Sequence, residues 1–177
     1  AALILKTLSR HSALGVTEIT RLVGLPKSIT YRLLSSLKGA DLVRVEPDRR
    51  RYMLGYGLLQ ITAKLLSGIE VRDLALPMLR QLRRETHKTV ALNVRDGDHR
   101  VTVERLDTSY EVRFVIDLGR PLPLHIGAAG KAILAFLSDD EIGEIVGRSA
   151  LSAKRMQVLM RALAEIKTLG LSDTCSE

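Results

Sequence analysis

Tryptophan is absent from this 177-residue chain, and Phe and Tyr together number only six. A surface that holds single-stranded nucleic acid by stacking its bases needs more aromatic faces than that. The one cysteine, Cys175, cannot form an internal disulfide, and no His or Cys stands near it in sequence to suggest a metal site. His11, His87, His99 and His125 are scattered, with no H-x-x-x-H or H-E-x-x-H pair to hold zinc. Apolar runs are only a few residues long, so no segment reads as a membrane span. No basic-then-apolar leader opens the chain. The expectation is a cytoplasmic protein without membrane partner, metal or other cofactor.

What is present is globular material, 46% hydrophobic and 27% charged, enough for one or two domains with real cores. The net charge of +7 is unevenly spread, since residues 1–54 hold ten Lys/Arg against four Asp/Glu. The remaining residues carry seventeen against sixteen. An excess confined to the first third points to a polyanion partner there, because phosphate neutralisation supplies most non-specific nucleic-acid affinity. A basic face kept for solubility is the plainer alternative.

The first third also has a recognisable local grammar. Leu3, Ile4, Leu8 and Leu14 recur at roughly helical spacing until Gly15 closes the segment. Thr17 is suited to N-cap a short helix with Ile19, Leu22 and Val23 inward, ending at Gly24. Pro26 suits the first turn of the next helix. There, Ile29, Thr30, Leu33, Leu34 and Leu37 share an arc of about 140°. Lys27, Ser28, Tyr31, Arg32, Ser35 and Lys38 take the other side, with no carboxylate among them. Two short helices joined by a glycine turn, the second with a basic, hydroxyl-rich face, form the helix-turn-helix pattern. An ordinary helical hairpin shares that pattern. Two β-rich runs, residues 42–45 and 51–54, then flank a Pro-Asp turn and the run Arg49, Arg50, Arg51. A hairpin tipped with arginines behind a recognition helix reads as a wing whose side chains reach phosphates or the minor groove.

Three separated stretches, GLPKSITYRLLSSL, RYMLGYGLLQI and GRPLPLHIGAAGKAILAFL, stand in an order and spacing that resembles the IclR family of bacterial transcription regulators. The resemblance covers essentially the whole chain. It implies an α+β protein: a winged helix-turn-helix domain over 1–54, a linker helix over 55–70, and a GAF-like effector-binding domain over 71–177 that is incomplete at its C-terminus. It implies that Lys27, Ser28, Thr30, Tyr31 and Arg32 meet double-stranded operator DNA, with Ser35 beside them. Thr30 ranks below Ser28 and Arg32, being at the edge of the apolar arc. Thr17 and the three wing arginines would fix the register on phosphates. A homodimer or dimer of dimers is expected, since one winged helix reads one half-site. The effector implied is a small organic or aromatic acid.

Residues 55–67 are apolar on most of one side, for packing on the wing domain or for dimerisation. A helix is expected over 71–87, with Leu74, Met78, Leu79 and Leu82 inward and Arg72, Arg80, Arg83 and Arg84 outward. TVALNVRDGDHRVTVERLD alternates around a turn at Asp96–Asp98, and EVRFVID reads as a third strand. Helices are expected over 127–137, 139–146 and 152–169, with Ser138 as an N-cap. The chain begins without Met inside a helical run, and GLSDTCSE reads as the entry to another strand, so more chain is expected at both ends.

HIGAAGKA, residues 125–132, looks at first like a phosphate loop. A Walker A loop needs G-x-x-x-x-G-K followed by Ser or Thr. Aligned on Gly130 and Lys131, the first glycine is His125 and the hydroxyl position is Ala132. PLPLH before it, with two prolines, reads as no strand. Asp96 and Asp98 are accounted for by turn chemistry; Asp139, Asp140 and Glu141 are accounted for by a helix start. No nucleophile has an evident base, so a small-molecule-processing enzyme is the weaker alternative. A winged helix used for protein contacts would not need the local charge of +6. The glycine-rich stretch reads instead as a helix start whose backbone N–H groups face a small anion, with Gly127, Ala128, Ala129 and Gly130 as effector-binding candidates and His125 as a pocket wall. Close packing of small residues on the sheet is the other reading.

Overall fold

The computed structural model describes residues 1–108 and 116–173. The chain divides between Ile69 and Glu70 into two compact units, and each has its own core.

The first unit contains α1 (Ala2–Leu8), α2 (Val16–Val23), α3 (Lys27–Gly39), β1 (Val43–Glu46), β2 (Arg51–Leu54) and α4 (Gly57–Ser67). Ile4 and Leu8, Ile19 and Val23, and Leu34 and Leu37 bring one stripe from each of the first three helices into a shared core that also takes Leu14 and Val43. The hairpin pairs Val43 with Leu54 and Glu46 with Arg51. Leu14, read from sequence as part of a helical run, instead exchanges two backbone hydrogen bonds with Tyr52 at 2.9 and 2.7 Å. It gives the hairpin a third extended neighbour.

Several helix details differ from the sequence reading. Gly15, not Thr17, occupies the cap of α2, and its N–H donates to Glu18 Oε2 at 2.7 Å. The carboxylate three residues on supplies what a capping hydroxyl would have supplied. Gly24 ends α2 in the left-handed region, with φ +67°. Pro26 is the cap of α3 rather than part of its first turn. Leu22 and Ile29 face solvent although their spacing placed them inside. Gly55 and Gly57 allow a close approach, since a Cβ on Gly55 would lie 2.1 Å from the Asp41 carbonyl oxygen and one on Gly57 2.9 Å from it.

The second unit contains α5 (Glu70–Thr86), β3 (Val90–Asp96), β4 (His99–Leu106), β5 (Pro121–Pro123), α6 (Gly127–Leu134), α7 (Asp139–Arg148) and α8 (Ala153–Leu169). The sheet has the order β3-β4-β5 and is antiparallel throughout. Helices beside an antiparallel sheet make the fold α+β. Of the third strand expected at EVRFVID, residues 111–115 lie outside the described residues, as do 174–177 with Cys175. The segment that pairs with β4 is Pro121–Pro123, which its prolines had disguised. Proline is tolerated on an edge strand, where the missing N–H faces no partner.

The core of this unit lies mainly among α6, α7 and α8: Leu134, Ala135, Ile142, Ile145, Val146, Leu159, Leu163 and Ile166, joined by Leu124. Ser138 caps α7, its hydroxyl accepting from Glu141 N–H while the Glu141 carboxylate accepts from Ser138 N–H. On α5 the expected facing is wrong. Leu74 and Met78 are 77% and 72% exposed, and Leu82 is exposed too. The helix instead sends Arg72 to Glu104 at 2.6 Å and Arg83 Nε to the Asp107 carbonyl at 2.6 Å. Ala75, Leu76 and Leu79 are half-buried on it. Two stripes of helical period compete in this segment, and arginine stems cover apolar surface as aliphatic chains do.

Candidate nucleic-acid interface and effector site

In the first unit, the core stripe of α3 leaves Lys27, Ser28, Tyr31, Arg32, Ser35 and Lys38 exposed. Thr30 does not join them. It is fully buried, and its hydroxyl donates to the Pro26 carbonyl at 3.1 Å, so it has no hydrogen to offer a base or phosphate. This corrects its assignment as a DNA contact. A hydroxyl that satisfies its own helix start is tolerated in the core, and hydropathy alone does not reveal which partner it has chosen.

The wing turn follows β1, and Arg50 takes φ +48° there. Arg49 and Arg50 are exposed. Arg51 is different, because its Nη2 lies 3.2 Å from Glu18 Oε2. Glu18 thus joins the start of α2 to the root of the wing, and its carboxyl is held below its ordinary value by the Gly15 N–H and then by Arg51. An open groove of about 700 Å³ runs between the start of α2, α3 and the wing. Thr17, Tyr31, Ser35, Lys38, Arg50 and Tyr52 line it. Burial, and then Tyr31, raises the Tyr52 phenol. Lys38, on the polar face expected from sequence, and Tyr52, which was not singled out, extend the basic, hydroxyl-rich surface. Tyr52 was missed because strand alternation does not say which face a neighbouring helix covers.

Helix α4 begins from the same hairpin. The Arg44 guanidinium lies 4.5 Å above the Tyr56 ring, and its Nη1 donates to the Tyr56 hydroxyl at 3.1 Å. No residue of α4 is buried, and Leu59, Ile61 and Leu65 are all exposed.

In the second unit the glycine-rich start of α6 does not act as one surface. Gly127 has φ +72°, and the Arg100 guanidinium stands beside it, with Nη2 3.6 Å from where a Cβ would be. Arg100 Nη1 and the Thr102 hydroxyl both donate to Asn93 Oδ1, at 2.8 and 2.9 Å. Arg100 Nε is buried without a hydrogen-bond partner, and burial lowers the guanidinium's pKa. Ala128 and Ala129 are half-buried. Gly130 is buried, and a Cβ there would sit 2.5 Å from the Leu124 carbonyl oxygen. The absence of a side chain there serves close packing against the exit of β5, the other reading of the small residues in this stretch. His125 and Lys131 line a separate open groove of about 900 Å³ with Val158, Ala162 and Leu169. Sequence reasoning missed Arg100, since one arginine in an alternating strand looks like any outward residue. Among the described residues no three His, Cys, Asp or Glu side chains cluster as metal ligands, and no helix is long and apolar enough to cross a membrane.

Comparison with known proteins agrees with this geometry. A family model described as the IclR helix-turn-helix domain matches residues 1–47. Another, described as bacterial transcriptional regulator IclR C-terminal, matches residues 63–175. The transcriptional regulator KdgR of Dickeya chrysanthemi is 32% identical over 145 residues, 82% of this chain and 48% of that protein. The chain therefore spans about half the length of that curated relative. The crystal structure of Thermotoga maritima IclR superposes with TM-score 0.77 at 27% identity, covering 96% of this chain and 71% of that one. An IclR homolog from Microbacterium hydrocarbonoxydans, solved in complex with 4-hydroxybenzoate, shares the fold with TM-score 0.80 at 20% identity, covering 96% and 72%. With both a helix-turn-helix model and a C-terminal model matched in chain order, the chain belongs to the IclR family of bacterial transcriptional regulators.

Proposed function

We propose that this chain reads an operator in double-stranded DNA with its first unit and senses a small-molecule effector with its second, as part of a cytoplasmic transcription regulator rather than an enzyme. The observation that carries the reading is α3, whose exposed crest holds Lys27, Ser28, Arg32 and Ser35 with no carboxylate. Such a helix docks in the major groove, where hydroxyls and guanidinium meet base edges. Tyr31, Thr17, Arg49 and Arg50 hold phosphates, and Arg51 holds the wing. Residues 1–54 form the DNA-binding part, 55–70 the linker helix and 71–177 the effector-binding part.

The exposed apolar side of α4 is covered by a second copy, giving a homodimer or a dimer of dimers that presents paired reading heads. The effector is a small organic or aromatic acid. Its carboxylate meets the start of α6 near Gly127, Ala128 and Ala129, with Arg100 as counter-charge and His125 on the neighbouring wall. Effector binding shifts operator affinity only to the extent that it prefers one arrangement of the heads. Fluorescence anisotropy of the full-length protein on duplexes selected from a random pool tests the reading, repeated with a panel of benzoates and short-chain acids. Affinity falls steeply with salt, and at least one acid changes it. Binding insensitive to salt, or unaltered by Arg32→Ala, refutes it.

A further inference from the structure

Positions 29 and 30 of α3 are inverted relative to what a core would choose. The hydroxyl of Thr30 is fully buried while Ile29, its neighbour, is 43% exposed. The core of this unit is completed on α3 by Leu34 and Leu37, with Leu33 packed at its edge, so folding makes little use of Ile29. A single exposed isoleucine on a protein surface is ordinary. This one stands in the first turn of the recognition helix, among exposed Lys27, Ser28 and Arg32, where such helices present base-reading side chains.

The two long edges of α3 differ in chemistry. Tyr31, Ser35 and Lys38 line the groove on the wing side. By helical rotation Ile29 lies about 160° from Tyr31 around the axis, on the opposite edge. Arg32 lies between them on the crest. Ile29 and Arg32 are three residues apart, so their Cβ atoms are about 5–6 Å from each other, a separation of one to two base-pair steps at about 3.4 Å each, which lets the two side chains reach adjacent base pairs. Isoleucine has no donor or acceptor for a base edge. The one apolar group that the major groove displays is the C5-methyl of thymine.

We propose that Ile29 is a specificity-determining residue that reads a thymine methyl in each half-site, beside the base pair met by Arg32. This rests on the DNA-reading function proposed above, and the experiment separates the two. A duplex selected from a random pool is resynthesised with each thymine replaced singly by deoxyuridine, which deletes only the methyl. Binding by the full-length protein and by its Ile29→Ser and Arg32→Ala variants is followed by anisotropy.

One replacement per half-site is expected to weaken the wild-type complex about fourfold, the equivalent of one buried methyl group. The same replacement leaves Ile29→Ser unchanged, and Arg32→Ala still registers it. Wild-type binding that is equal on every deoxyuridine duplex overturns the proposal, even if Ile29→Ser should fold poorly. A loss that persists in Ile29→Ser overturns it as well. If the wild-type protein selects no duplex, the DNA-reading function itself falls, and this inference with it.

Discussion

The three consecutive arginines of the wing are equivalent in sequence and unequal in the folded chain. Arg49 and Arg50 are exposed, whereas Arg51 is within 3.2 Å of Glu18. Each arginine that neutralises a phosphate contributes about 0.9 to the slope of log affinity against log salt. Arg49→Ala and Arg50→Ala should therefore each flatten that slope by about 0.9 per bound copy. Between 50 and 200 mM salt this amounts to roughly a threefold to fourfold difference per arginine. Arg51→Ala should leave the slope nearly unaltered and lower affinity by a similar factor at every salt concentration. It frees the root of the wing and leaves the Glu18 carboxylate with the Gly15 N–H but without its guanidinium partner. The assay is anisotropy of a labelled duplex titrated at four or five salt concentrations. Equal flattening by all three substitutions would refute the division of labour. No flattening by Arg49→Ala or Arg50→Ala would refute phosphate contact by the wing.

Three further outcomes are expected. Gly55→Ala should destabilise the first unit by about 3 kcal/mol, since the new methyl meets backbone that cannot move aside. A melting drop of roughly 12–24 °C follows for a domain of this size. Gly39→Ala, with nothing within 4 Å, should instead stabilise it by about 0.5–1 kcal/mol, and urea unfolding monitored by circular dichroism compares the two. The Glu18 carboxyl is depressed below its ordinary value of 4.5, so its stabilising contribution is present above that pH and is lost as pH falls through the lower folded value. Melting temperature between pH 6 and pH 3 should fall less steeply in Glu18→Gln than in the wild type, and parallel curves would contradict the assignment. Arg100→Met should weaken carboxylate effectors by roughly tenfold to a hundredfold in calorimetry. Unchanged affinity would remove Arg100 from the effector site.

Much of the first unit was legible because its signals are local. Gly24 needs a left-handed conformation and Pro26 starts a helix, and one apolar stripe per helix defines the core. The arginine wing follows from composition and turn chemistry. What stayed hidden depends on partners distant in sequence. Thr30 falls at the edge of the apolar arc, where helical period alone does not rank it as core or surface until its bond to Pro26 is seen. Glu18 and Arg51 are 33 residues apart, and Leu14 meets Tyr52 across a still longer interval. In the second unit, α5 carried two stripes that helical period could not rank. The short strand at Pro121–Pro123 violated the propensity rule by which strands are found. Arg100 gained significance only through its closeness to Gly127.

The prolines of β5 also give the sheet a direction. Leu124 donates its N–H to Asp98 at the foot of β4, so by strand alternation Leu122 faces β4 while Pro121 and Pro123 face away. Among the described residues no strand pairs with that outer side of β5, which has carbonyls and no donors at those two positions, so a strand added there would lack two ladder hydrogen bonds. Among the described residues the outer side of β3 pairs with no strand and keeps its amides. Pairing along β5, next to the start of α6, is therefore weakened by two missing hydrogens, whereas the margin at β3, which has no proline, carries its full set of donors.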